Sequence, residues 1–150
     1  MLRGAEIKSQ LGFTLIEVLI TLTITVGLAG LGLLIGSNFT RSESLDVERY
    51  NLVSILRKAR NQAMSNLNQA DHGVFIATST YIIFEGVSYA SRIPDYDEVF
   101  GKGGGIIVSG PSEIAFKALQ GNSNVSGTIT LSDNTKGRNI FINYEGRVDW

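Results

Sequence analysis

Few side chains in this sequence are spaced for chemistry, and Glu17 is the most informative of them. It is the only ionisable group between Phe13 and Gly36. A carboxylate inside an apolar span costs about 2.5–3.5 kcal/mol on insertion scales. It therefore marks a function or a partner, unless it snorkels to the interface or is protonated. The partner would be a cation at similar depth. A cut between Gly12 and Phe13 would create one, an α-amino group on Phe13, four residues from Glu17. The same amine on a neighbouring helix could also reach the carboxylate.

The other polar groups carry less. His72 is the single histidine and cysteine is absent, which excludes His-based metal clusters, His-dependent triads, thiolate sites and disulfides. His72 is expected to cap a helix C-terminus. Gly101-Lys102-Gly103-Gly104-Gly105 lacks the GxxxxGKS/T order of a phosphate loop and no helical pattern follows it. It reads as a flexible loop. Asp95, Asp97 and Glu98 could offer oxygens to calcium, which takes about 6–8 of them. Without the EF-hand spacing, a solvated acidic loop is the simpler reading, and neither metal nor cofactor is expected.

Lys136, Arg138 and Arg147 are the candidates for touching nucleic-acid phosphates, although Asp149-Trp150 follows where further arginines would help. So few cations give weak, salt-sensitive contacts. Lys+Arg 13 against Asp+Glu 14, a formal net charge of -1, leaves no global basic field. Nucleic acid is not an expected partner. Asn38-Phe39-Thr40 and Asn124-Val125-Ser126 match the glycosylation sequon.

The elements that position these groups follow from hydropathy and period. At about 1.5 Å per residue the run from Phe13 to Gly36 is roughly 36 Å long, enough for a bilayer core of about 30 Å. Arg3 and Lys8 precede it and the next cation is Arg41, so the positive-inside bias keeps the N-terminus cytoplasmic. A secretory signal peptide fits poorly, because its apolar region is shorter, about 7–15 residues, and its cleavage site follows that region. Gly27, Gly30, Gly32 and Gly36 lower helix propensity, which makes unwinding beyond the membrane an expectation. Gly32 and Gly36 also stand at a spacing that permits close helix approach.

After Gly36 the pattern turns amphipathic. Leu45, Leu52, Ile55, Leu56, Ala59, Ala63 and Leu67 recur near the helical period. No proline interrupts Phe13–Ala70, and Asp71-His72-Gly73 supplies a stop signal, with Gly73 suited to the C′ position. One long helix is expected, apolar over 13–36 and amphipathic over 37–72. Beyond it the period shifts to two. Strands are expected at Val74–Ala77, Tyr81–Phe84, Glu113–Lys117, Gly127–Leu131 and Arg138–Tyr144. Asp133–Gly137 has hairpin-loop chemistry, and Ser88–Gly105 is expected to be a long surface loop. The fold class is α+β, with an antiparallel sheet domain over 73–150 resting on the amphipathic half of the helix.

Lys8-Ser9-Gln10-Leu11-Gly12-Phe13-Thr14-Leu15-Ile16-Glu17-Val18-Leu19 resembles the class III signal of type IV prepilins and type II secretion pseudopilins. The resemblance implies a leader, 1–12, cut by prepilin peptidase after Gly12. It implies methylation of Phe13, and pairing of Glu17 with a neighbouring subunit's amine. The implied partners are other pilin subunits, the peptidase and an inner-membrane assembly platform. The implied role is assembly, not catalysis.

Leu56–Met64 resembles the helix segment of the GspH/FimT group of minor pseudopilins. Ile114-Ala115-Phe116 followed by a Gly, Ile129–Leu131, Ile140–Ile142 and Gly146-Arg147-Val148 resemble that group's C-terminal strands. That group implies a low-abundance subunit at or near the tip of a pseudopilus or pilus. A DNA-binding competence pilin and a major structural pilin are the alternatives. Mass spectrometry of the mature chain is expected to find Phe13 as a methylated N-terminus, and recovery of the native chain with residues 1–12 attached would rule out this processing.

Overall fold

The computed structural model describes residues 13–133 and 136–150, with backbone alone over 31–43. Gly12 and the remainder of the expected leader lie outside the described residues, as do Asn134 and Thr135 of the expected hairpin loop. The chain divides into two units, Met1–Phe39 and Thr40–Trp150.

One helix, α1, runs over Leu15–Met64. Thr14 starts it: its Oγ1 accepts from the Glu17 backbone N–H at 3.3 Å, satisfying one of the amides that a helix start leaves unpaired. The helix is continuous through Gly27, Gly30, Gly32 and Gly36, so the expected unwinding is not found. In the first unit every described side chain from Phe13 to Gly30 is exposed. Thr21, Thr23 and Thr25 return their hydroxyls to backbone carbonyls one turn back, at 2.7–2.9 Å. Glu17 apart, a helix polar only in such self-satisfied groups and apolar on all sides needs its surroundings from lipid or other chains. Among the described residues no helix is long and apolar enough to cross a membrane; the expected span includes 31–36, whose side chains fall outside that set.

In the second unit α1 presents Leu45, Leu52, Val53, Ile55, Leu56, Ala59 and Ala63, all buried. The helix ends earlier than the stop signal at Asp71-His72-Gly73. Asn66, Asn68 and Gln69 adopt left-handed backbone (φ 55, 51 and 57), a conformation that asparagine tolerates better than most residues. The Ala63 carbonyl accepts from Leu119 N–H at 2.9 Å, closing the helix end with a distant loop. His72 and Gly73 are therefore not caps: they open a strand, β1 (His72–Ile76). A Cβ on Gly73 would run into the Phe84 ring, so glycine is there for close packing.

Two antiparallel four-stranded sheets form where a single sheet was expected. One has the order β3 (Glu98–Gly101), β2 (Thr80–Glu85), β1, β5 (Glu113–Phe116). The other has the order β4 (Ile107–Ser109), β6 (Gly127–Ser132), β7 (Gly137–Ile142), β8 (Val148–Asp149). The segment Ser88–Gly105 is not a plain loop. It holds two 3₁₀ turns, Tyr89–Ser91 and Pro94–Tyr96, and β3. Val74, Tyr81, Ile83, Ile114 and Phe116 from the first sheet join Ile129, Leu131, Ile140, Ile142 and Val148 from the second around the α1 stripe in one core. The Tyr81 side chain is buried, and that burial, with the Glu48 carboxylate beside it, pushes the phenol pKa far above its ordinary value.

Polar bonds clamp the helix to its loops. Arg60 donates from Nε to the Gly121 carbonyl at 3.0 Å and from Nη2 to the Glu145 carbonyl at 3.1 Å. Gly146 lies against Gly121 at φ +74, where a Cβ would be driven into the Gly121 carbonyl oxygen. Gly146→Ala combines left-handed strain with overpacking and is expected to cost about 2–4 kcal/mol. Gly104→Ala, with nothing near its added Cβ, is expected to stay within about 0.5 kcal/mol. Chemical denaturation of the two full-length variants in detergent checks the contrast.

Candidate functional site

The first unit places Phe13 and Glu17 at the start of α1. Phe13 is 83% exposed, and Glu17 stands in the first helical turn. Its backbone amide is held by Thr14, while among the described residues no donor meets its carboxylate. An acid in the first turn is favoured by the helix dipole, so α1 itself holds this charge where an incoming cation would find it. Thr14 positions this turn from a place that hydropathy and charge do not mark. Its signal was present, since Thr14-x-x-Glu17 has the capping-box spacing. Leu15, Val18, Leu19 and Leu22 line an apolar face beside Phe13, so the acid is flanked by surface suited to another helix.

Residues 7–34 match the family described as the prokaryotic N-terminal methylation motif. The chain carries the N-terminal signal of a pilin-like prepilin. The matched stretch encloses the Gly12–Phe13 junction and Glu17 and continues along the apolar part of α1. Comparison with curated proteins and with solved structures gave no match. The motif implies processing by prepilin peptidase, anchoring in the inner membrane before assembly, and assembly with other pilins. The prepilin is a structural protein and not an enzyme, and its fold is the α+β arrangement of an N-terminal helix packed against antiparallel sheets.

The residues singled out in the prepilin's second unit do not form one site. Arg92 donates from Nε to both oxygens of Asp97, at 2.8 and 3.2 Å. Glu98 pairs with Lys58 and accepts from Gln62 at 2.7 Å. The Lys58 hydrogen bond, with the Gln62 bond adding to it, holds the Glu98 carboxyl below the usual range against its partial burial. Asp95, Asp97 and Glu98 are thus spent on separate partners or left to solvent, and among the described residues no acidic or histidine group is arranged to hold a metal.

The basic candidates are also engaged. Arg138 in β7 forks onto Asp46 of α1, Nε to Oδ1 at 2.8 Å and Nη2 to Oδ2 at 3.0 Å. Arg147 meets Asp149 at 2.9 Å. Two of the three cations offered for phosphate contact are therefore neutralised by their own chain. Lys136 sits at the β6–β7 turn, where its backbone N–H bonds the Asp133 carboxylate at 2.9 Å. Sequence spacing could not reveal the Asp46–Arg138 fork, because its partners lie 92 residues apart.

The fork makes a pH-dependent prediction. The Arg138 hydrogen bonds hold the Asp46 carboxyl below its ordinary pKa, outweighing the opposing desolvation. A carboxylate depressed in the folded state contributes stability above its unfolded pKa, about 3.9, and loses it as pH falls through the folded value. The stability gap between the unmodified chain and Arg138→Gln is expected to be full at neutral pH and to close progressively below about pH 4. Urea titrations of both proteins at several pH values measure it.

Proposed function

We propose that this prepilin is a minor pilin or pseudopilin of the GspH/FimT kind, assembled at or near the tip of a type II secretion pseudopilus or a type IV pilus. Residues 1–12 are removed on the cytoplasmic side. The apolar part of α1 then serves first as a membrane anchor and afterwards as part of a filament core. The second unit faces outward. The positive-inside placement of Arg3 and Lys8 supports this orientation.

The observation that carries the reading is an acid with no partner among the described residues, set at the start of a helix whose described apolar side chains have no core of their own. Bringing such helices together buries the charge, and a buried charge without a counter-ion is costly. A neighbour's Phe13 amine, freed by cleavage, meets that need and fixes the axial register of adjacent subunits.

The finer assignment draws on three segments that resemble the GspH/FimT group. Arg60 of the helix segment bonds the carbonyl of Gly121, the glycine after Ile114-Ala115-Phe116, and Gly146 of the C-terminal segment packs against that same carbonyl. Three of the segments carrying the resemblance therefore meet at one junction, which gives Arg60, Gly121 and Gly146 a shared physical purpose.

Glu17→Ala is expected to insert normally into the membrane, while its recovery in sheared filaments falls roughly tenfold or more, because one partner of a buried pair is left alone. Filament entry at the unmodified level would refute the pairing. Abundance of the chain in those filaments separates a minor from a major subunit.

A further inference from the structure

The second unit carries a groove and a turn that answer each other. The groove, roughly 650 Å³, runs along the outer side of α1 between Tyr50, Val53, Ser54, Arg57, Asn61 and the indole of Trp150. The Arg57 guanidinium lies 4.2 Å above the Trp150 ring, and Tyr50 meets the same ring edge-on at 6.4 Å. Lys58, the other cation lining the groove, is already neutralised by Glu98. Among the described residues no carboxylate pairs with Arg57, so it is the uncompensated charge of the groove.

The turn is Ile93-Pro94-Asp95-Tyr96, with all four side chains exposed and Tyr96 at 55%. Backbone bonds Tyr96 N–H to Ile93 O and Asp97 N–H to Pro94 O, both 3.1 Å, close it. Arg92 clamps its base by gripping Asp97 while stacking at 3.8 Å over Tyr89. Asp95 has no cation partner among the described residues, and two apolar side chains flank it. An anion set between Ile93 and Tyr96 matches a cation set between Tyr50 and Trp150 in both charge and apolar surface. Both surfaces are held in place before contact, which lowers the entropy cost of association.

We propose that the Ile93–Tyr96 turn of one copy docks into the Arg57–Trp150 groove of a second copy, placing Asp95 against Arg57. The occupant is another copy of this chain because its own turn supplies the acid that the groove lacks. A single adjoining pair suffices, so a low-abundance subunit can use the contact. The inference rests on the assembly reading above, since two copies must lie side by side in the membrane or filament.

The absence of cysteine gives a clean test. Two full-length chains with different tags, one Asn61→Cys and the other Tyr96→Cys, are co-expressed in bacterial membranes and oxidised. A second pair, both Leu19→Cys, reports helix association independently. A disulfide-linked species carrying both tags is expected from the Asn61→Cys and Tyr96→Cys pair. Adding Arg57→Asp to the first chain is expected to lower it roughly tenfold, because like charges across an interface suppress pairing. Adding Asp95→Arg to the second chain then restores it. If Leu19→Cys chains cross-link while the groove–turn pair does not, docking is overturned and the assembly reading stands. Failure of both pairs overturns docking and counts against assembly as well. Cross-linking that ignores both charge reversals also overturns docking.

Discussion

An uncompensated carboxylate on an apolar helix is the constraint from which the remainder of this molecule follows. The chain supplies Glu17 with an amide cap through Thr14 and a favourable helix dipole, but with no counter-ion among the described residues. The side chains around it are large, apolar and exposed. Neither property suits a chain that functions alone. Lipid can accommodate the hydrocarbon, but the acid still needs a cation, and in the proposed assembly the Phe13 amine freed by cleavage within the matched motif would supply one. Membrane anchoring and assembly are thus successive solutions to the same solvation problem.

The second unit solves a different problem, that of giving a long helix a stable place in a folded domain. Its core unites the α1 stripe with the inner faces of two sheets. The polar fastenings are distributed around that core: Asp46 to β7, Lys58 and Gln62 to Glu98 at the start of β3, and Arg60 to the loops at Gly121 and Glu145. Arg60 binds two backbone carbonyls, so it joins the loop after β5 to the loop after β7 through the helix. These bonds restrict sliding and rotation of α1 more than they add bulk stability, since partly exposed ion pairs contribute little each.

Much of this was legible in the residues. The apolar run, the amphipathic stripe from Leu45 to Ala63 and the alternation in β1, β2, β5, β6 and β7 all come from local hydropathy, which short-range patterns report well. Three things were not legible. The helix end was misplaced because Asp71-His72-Gly73 looked like a stop, whereas left-handed Asn66, Asn68 and Gln69, together with the Leu119 amide on Ala63, end it sooner. Strands β3 and β4 were missed because they are short and only half covered. The division into two sheets depends on pairings such as Val108 with Leu131, which join segments distant in sequence. In the candidate site, Glu17 stood out by type and position, yet the partners of Asp97, Glu98, Arg138 and Arg147 emerged only when the chain was folded.

The hydroxyls of Thr21, Thr23 and Thr25 each turn inward to a carbonyl of their own helix. Electrically they are silent to anything outside. Viewed down its axis, the described part of the apolar segment is therefore nearly isotropic: greasy in every direction, with a single polar bearing at Glu17. Nothing on that surface prefers one azimuth over another, so in the proposed assembly whatever cation the one acid meets would set azimuth and depth together.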